Sequence, residues 1–186
     1  MKECFLQSDL HFRLMALEFC LRDLVRPPLR VLHEADIRPG MTILDFGCGP
    51  GSFSVAAACL VGPGGRVFAV DVSQIALRHV ERAAARQRLT NIRIVLGSDL
   101  AGIEDKCVDV ALLYDVLHDI VDPAQSLAEM HRVLKPEGTL SVSDHHLKDE
   151  ALLAVVTARG LFTPTGRGRW THRFMRARAN EVTTLQ

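Results

Sequence analysis

The sequence predicts an α/β fold, a mostly parallel sheet covered by helices on both faces and closed by an antiparallel C-terminal hairpin. Three observations carry this. Short, nearly continuous apolar runs alternate with segments of helical period over residues 42–143, the signature of parallel strands buried on both sides. A glycine-rich run, Ile43-Leu44-Asp45-Phe46-Gly47-Cys48-Gly49-Pro50-Gly51, joins the first apolar run to the helical segment after it. Near the end, residues 161–166 and 170–176 flank the short turn Gly166-Arg167-Gly168, and strands joined so closely must be antiparallel.

The elements follow in order. Leu10, Leu14, Leu17, Leu21 and Leu24 stand at helical spacing, with Ser8 or Asp9 available as a cap. Pro27-Pro28 breaks that helix, and a short second one is expected over 29–35. Arg38-Pro39-Gly40 turns into a strand at 42–46, followed by a helix over 52–60. The turn Gly62-Pro63-Gly64-Gly65 leads into a strand at 66–70, a helix over 73–88 and a strand at 91–96. The longest apolar strand is 108–114, with Asp109 early in it. A helix over 123–133 has Asp122 as its cap and proline in its first turn. Lys135-Pro136-Glu137-Gly138 reads as a turn before a strand at 139–143, and a helix over 149–159 precedes the hairpin. Residues 1–36 are expected to form a helical lid or dimer contact, 37–180 the main domain, and 181–186 a flexible tail.

Composition sets the class. A chain of 186 residues suits one domain with a sizeable core, and 48% hydrophobic with 24% charged residues is ordinary for a globular protein. A formal net charge of zero gives no global electrostatic case for nucleic acid or an anionic membrane. No apolar run reaches the length of a bilayer span, and residues 1–9 lack the pattern of a signal peptide. Five cysteines (Cys4, Cys20, Cys48, Cys59, Cys107) with no CxxC pair predict reduced thiols in a cytoplasmic protein, not disulfides or a structural zinc site.

Ligands of open parallel sheets bind at the carboxyl ends of the strands, near the switch in strand order. Four positions fall there. The glycine loop lets a ligand approach the backbone at a helix N-terminus. Asp71 ends the next strand and can accept from both hydroxyls of a ribose. Ser98-Asp99-Leu100 follows the third strand, where an acid can accept an adenine amine proton. Tyr114-Asp115-Val116-Leu117-His118 opens the loop after the longest strand. Singly, each has a plainer explanation as a tight turn, a helix cap or a loop residue. Together, in order and each at a strand end, they would require four coincidences.

The glycines read Gly47-x-Gly49-x-Gly51, not the dinucleotide G-x-G-x-x-G, and no G-x-x-x-x-G-K-[ST] occurs. The loop has no lysine or arginine for a pyrophosphate. Asp45, two residues ahead of it, would repel phosphate but suits an ammonium group.

On these residues the chain resembles the class I S-adenosylmethionine-dependent methyltransferases. Asp45 to Gly51 looks like their first motif, Val70-Asp71-Val72-Ser73 like the acidic second motif, and Ser98-Asp99-Leu100 like the adenine-contacting segment. Val108-Asp109-Val110-Ala111-Leu112-Leu113-Tyr114 is similar to the fourth-strand motif, and Val133-Leu134-Lys135-Pro136-Glu137-Gly138-Thr139-Leu140 to the turn into the fifth strand. The terminal hairpin resembles their reversed last strand pair. The likeness covers roughly residues 30–178 and is nearest to the ubiquinone and menaquinone biosynthesis branch. It implies a Rossmann-like three-layer α/β/α sandwich with a mostly parallel seven-stranded sheet. It implies S-adenosyl-L-methionine as cofactor and S-adenosyl-L-homocysteine as product. By resemblance, Gly47, Gly49 and Gly51 pass under the methionine moiety and Asp45 positions its amino group. Asp71 holds the ribose, Val72 packs on adenine, Asp99 and Leu100 belong to the adenine segment, and Tyr114 supplies backbone contacts.

The sulfonium is already an activated methyl donor, so alignment and water exclusion supply most of the acceleration. A general base helps when the acceptor carries a proton. Asp115 and His118 after the fourth strand, and Asp144, His145 and His146 after the fifth, are the candidates. The doubled histidine does not predict a metal site, because adjacent residues on an extended segment point apart and no further ligands are spaced to match. The duller role for His118 is a pocket-lining or helix-start residue.

Departures narrow the acceptor. The Asn/Asp-Pro-Pro-Tyr/Phe motif of amine-methylating enzymes is replaced by Tyr114-Asp115-Val116-Leu117, and Cys48 and Cys59 do not reproduce the substrate cysteines of arsenite methyltransferases. His146 passes almost directly into the helix at Asp149, where quinone-type relatives insert a substrate cap. That predicts an open site for a bulky or membrane-derived small-molecule acceptor, or a homodimer that completes the pocket. Six arginines (Arg159, Arg167, Arg169, Arg173, Arg176, Arg178) read as the solvated face of an antiparallel edge. With one tryptophan beside them, no base-stacking platform is evident. The competing readings are a nicotinamide-dependent (NAD) oxidoreductase and a noncatalytic binding or regulatory protein of the same fold.

Overall fold

The apolar runs become seven strands of one sheet: β1 (Thr42–Phe46), β2 (Arg66–Asp71), β3 (Ile92–Leu96), β4 (Val108–Tyr114), β5 (Leu134–Ser143), β6 (Phe162–Arg167) and β7 (His172–Arg176). The structure, a computed structural model, describes residues 26–177. The helix expected over 10–25 and the tail at 181–186 lie outside the described residues. The sheet order is β3-β2-β1-β4-β5-β7-β6. β1 pairs in parallel with β2 on one side and β4 on the other, so the chain reverses its winding there and leaves a crevice at the carboxyl ends of these strands.

The side-chain alternation of β1 explains the layers. Leu44 and Phe46 join Phe68, Val70, Leu113, Leu140 and Val142 on one face. That face is covered by α4 (Pro123–Val133) and α5 (Asp149–Thr157) through Leu127, Met130, Leu152 and Val156. Ile43 faces the other way, with Val67, Val110, Leu112 and Tyr114, against α1 (Pro28–His33) and α2 (Ser52–Val61). On that side α3 (Gln74–Arg86) adds Leu77 and Val80 over Ala69. The three-layer α/β/α sandwich follows. Val31, Leu32 and Ala35 are buried in the α2 layer, in one cluster with Ala57, Ala58 and Val61.

The expected turn over Lys135–Gly138 lies inside β5. While β4 advances from Val108 to Val110, its partner advances from Leu134 to Thr139, a bulge in an otherwise parallel pairing. Asp109 sits opposite this bulge. Its Oδ1 pairs with Lys135 Nζ at 2.6 Å and its Oδ2 accepts from the Thr42 N–H at 2.8 Å, which ties β5 to the start of β1.

In the arginine-rich hairpin Arg167 and Arg169 are exposed, while Arg173 and Arg176 are half-buried. β7 lies between β5 and β6, so of the hairpin's two strands only β6 is a sheet edge. Arg176 donates to the Leu134 carbonyl at 3.1 Å, Arg167 pairs with Asp149 at 2.6 Å, and Arg169 lies 4.9 Å over the Trp170 ring. The turn is fastened to α1 by the residue that follows it. Glu34 accepts from the N–H groups of Arg169, Trp170 and Thr171 and from the Thr171 hydroxyl at 2.9–3.1 Å. Glu34→Ala strips the turn of these charge-assisted bonds and is expected to lower stability by about 1–3 kcal/mol, read from the shift in the urea midpoint at unchanged slope.

Candidate active site

The glycine loop takes its shape from left-handed backbone. Gly47 has φ +71° and Gly51 φ +88°, values that a side chain disfavours. The N–H groups of Gly47 and Cys48 both donate to the Val70 carbonyl at 2.8 and 3.0 Å, which brings the loop across the end of β2. A Cβ on Gly47 would lie 2.5 Å from the Val116 side chain, and one on Gly51 2.6 Å from Val80.

Asp71, at the end of β2, is the hinge of this arrangement. Its Oδ2 accepts from the Gly49 N–H at 2.9 Å and its Oδ1 from the Ser73 N–H at 2.7 Å. Burial pushes its pKa up, against the backbone hydrogen bonds that favour the charged form. Ser73 in turn caps α3 by accepting from the Ala76 N–H. Each carboxylate oxygen keeps acceptor capacity toward the cleft.

The cleft beside Asp71 has a volume of about 1300 Å³, above the roughly 300–1,000 Å³ of an ordinary single-ligand pocket. Asp45, Gly47, Gly49, Asp71, Val72 and Asp99 line it, as do Tyr114 and Asp115. Asp45 is 2% exposed and accepts from the Ser54 hydroxyl on α2. Val72 is 74% exposed, an apolar side chain left uncovered on the wall. Asp99 accepts from the Ala101 N–H at 2.8 Å, which folds its loop toward the cleft.

Two expected contacts are placed elsewhere. Leu100 is fully buried in the core under the sheet, and Ala101 takes its place on the wall. Gly51 sits behind the loop, where its missing side chain lets α2 begin against Val80. Tyr114 reaches the cleft wall but turns its ring inward, its hydroxyl 2.8 Å from the Ser141 Oγ; burial pushes its pKa well up.

The histidines form a group of their own. His118 Nδ1 lies 2.9 Å from Asp144 Oδ2, and His145 Nδ1 lies 2.8 Å from Asp115 Oδ1. The rings of His145 and His146 are 3.9 Å apart, and those of His118 and His146 4.2 Å. The segment after Ser143 is bent, not extended, so the adjacent imidazoles meet with their planes tilted by 42° where extended backbone would point them apart. Burial pushes the Asp144 pKa up, but the His118 ring and the N–H groups of His146 and His118 outweigh it and hold it below the usual range. Of this group only Asp115 lines the large cleft; His118 and His145 stand behind it. Among the described residues, no three His, Cys, Asp or Glu side chains are placed to hold a metal ion.

Arg132 escaped the sequence reading. Its guanidinium donates to the carbonyls of Leu100 and Ile103 at 2.8 and 3.0 Å and pairs with Asp105 and Glu129, which pins the loop carrying Asp99 to α4. In sequence, Glu129 and Arg132 look like an ordinary surface pair at helical spacing.

The profile of a methyltransferase domain family matches residues 37–176. The chain is 40% identical over 116 residues to an uncharacterized 37.1 kDa protein in transposon TN4556 of Streptomyces fradiae, covering 61% of this chain and 33% of that protein. It is 30% identical over 109 residues to the demethylmenaquinone methyltransferase of Geobacillus stearothermophilus, covering 58% of this chain and 47% of the enzyme. The matched segment thus spans between a third and a half of these relatives. In fold, the chain is similar to a SAM-dependent methyltransferase of Aquifex aeolicus (TM-score 0.70, 23% identity, 81% of this chain and 88% of that one). It is also similar to an arsenic(III) S-adenosylmethionine methyltransferase of Chlamydomonas reinhardtii (TM-score 0.65, 23% identity, 77% and 66%). Gly47→Ala is expected to destabilise the protein by about 1–3 kcal/mol through backbone strain and the Val116 clash, and Val116→Ala in the same chain to recover the clash but not the strain, as urea unfolding would show. With glycine loop, strand-end acids and sheet order in place, the chain belongs to the class I S-adenosylmethionine-dependent methyltransferase family.

Proposed function

We propose that this chain transfers a methyl group from S-adenosylmethionine by in-line displacement to a small-molecule acceptor, releasing S-adenosylhomocysteine. The observation that carries this is Asp71, whose carboxylate holds the glycine loop and the start of α3 while facing a cleft with an uncovered apolar Val72. The donor set fits the cofactor: Asp45, Asp71 and Asp99 are acceptors when ionised, and they suit a ligand with an ammonium group, two ribose hydroxyls and an adenine amine. In this reading Asp45 orients the amino group, Asp71 the ribose and Asp99 the adenine amine. Val72 packs on the ring, and the backbone of Gly47, Gly49 and Tyr114 shapes the methionine end. The bound cofactor supplies an electrophilic methyl on a sulfonium, and the protein supplies alignment and exclusion of water.

Asp115 is the group we assign to proton removal from the acceptor, since it lines the cleft and is backed by His145. His118, paired with Asp144, supports the loop from behind. The cleft's volume leaves room for an acceptor beside the cofactor. No helix among the described residues is long and apolar enough to cross a membrane.

Calorimetry with S-adenosylmethionine, S-adenosylhomocysteine and NAD tests the cofactor. Saturable binding of both sulfur compounds is expected, and binding of NAD alone would overturn the reading. Transfer of labelled methyl into a metabolite extract tests the reaction and identifies the acceptor; binding without transfer would favour a noncatalytic role. Asp115→Asn keeps a residue type that tolerates the φ of +53° found there. It is expected to lower kcat by about 10²-fold or more with cofactor affinity unchanged. The raised Asp71 pKa gives a pH signature. Ribose hydroxyls donate to the ionised carboxylate, so affinity should rise as pH climbs from the ordinary aspartate range through the raised value, then level off. In Asp71→Asn that rise is absent and affinity is low throughout.

A further inference from the structure

Behind Asp115 lies a second, smaller cavity of about 150 Å³, between the end of β5, the start of α5 and the β6–β7 turn. We propose that it is an oxyanion subsite that receives a carboxylate or phosphate group of the methyl acceptor. Only its assignment to the acceptor rests on the function proposed above.

The wall is cationic once its internal pairs are counted. Arg26, Arg167 and Arg169 reach it, together with His145 and His172, against two carboxylates, Asp144 and Asp149. Both carboxylates are already engaged. Asp149 takes Arg167 Nη2 at 2.6 Å and His172 Nε2 at 3.1 Å. Asp144 takes the His118 ring with the His118 and His146 N–H groups. Positive charge is therefore in excess, and guanidinium groups match planar or tetrahedral oxyanions by geometry as well as charge.

The cavity is also preorganised. Arg169 is fixed at its backbone by Glu34, at 2.9 Å from its N–H, and at its side chain by the Trp170 ring. The size admits one anionic group and not a whole acceptor. The position supplies the link: His145 lines this cavity while its Nδ1 holds Asp115, which lines the large cleft. An acceptor with an acidic substituent can thus place its reacting atom at Asp115 and its anion beyond His145.

The test uses the full chain and needs no methyl donor. Inorganic phosphate or benzoate is titrated at constant pH and ionic strength, with chloride as the control, while the imidazole proton resonances of His145 and His172 are followed by NMR. Saturable shifts of both are expected with at least one anion, and which anion gives them tells a phosphate from a carboxylate. Arg169→Gln, shown folded by a cooperative melt, should weaken binding about tenfold, and Arg169→Lys should weaken it less. No saturable shift with either anion, or unchanged binding in Arg169→Gln, overturns the subsite. In the extract assay the methylated product should be retained on an anion exchanger, and KM for the acceptor should rise in Arg169→Gln with kcat largely kept. A neutral product overturns the link to the acceptor. Anion binding with no methylated product would instead sink the proposed reaction and leave the cavity standing as an anion site.

Discussion

The arrangement depends on one half-buried carboxylate. Asp71 closes β2, receives an N–H from the glycine loop and another from the start of α3, and so fixes two chain segments at the switch in strand order. An ionised carboxylate is costly to bury unless hydrogen bonds favour its charged form. Burial pushes its pKa up against the backbone N–H groups that favour the charged form. A ligand donating further hydrogen bonds would complete the shell, which makes binding and local folding two parts of one equilibrium.

The rest of the site is organised by similar ties between segments distant in sequence. Arg132 joins α4 to the loop carrying Asp99, Asp109 joins the β5 bulge to the start of β1, and Glu34 joins α1 to the terminal turn. Each uses a charged side chain to satisfy backbone groups of a segment distant in sequence.

The corner beyond β4 and β5 is the least regular part. Five residues, 144–148, connect β5 to α5, and three imidazoles, tilted against one another, fill the corner they leave. That corner separates the large cleft from the cationic cavity, and the Asp115–His145 pair is the element common to both.

The sheet and its cofactor end were legible in the residues. Strands 42–46 and 108–114 and the helix over 123–133 are read to the residue, because uninterrupted apolar runs, the Asp122-Pro123 start and the glycine turns are local signals. Asp71 and Asp99 were visible because strand ends are set by the same periodicity. The Lys135–Gly138 segment read as a turn because the bulge that keeps it in β5 comes from pairing with β4, which no local pattern encodes. The histidine cluster is not encoded locally for the same reason: it depends on a bend after Ser143 that is held by Asp144 and Asp115, just beyond the ends of two strands. Arg132 and Glu34 carried no signal, since their partners are backbone atoms far along the chain. The sequence by itself determined the order of elements and the chemistry of the glycine loop, both consequences of near-neighbour periodicity and backbone freedom. Only the tertiary structure decided which acids face the cleft, which arginines are free of the sheet edge, and where a second cavity opens, because long-range pairing sets those distances.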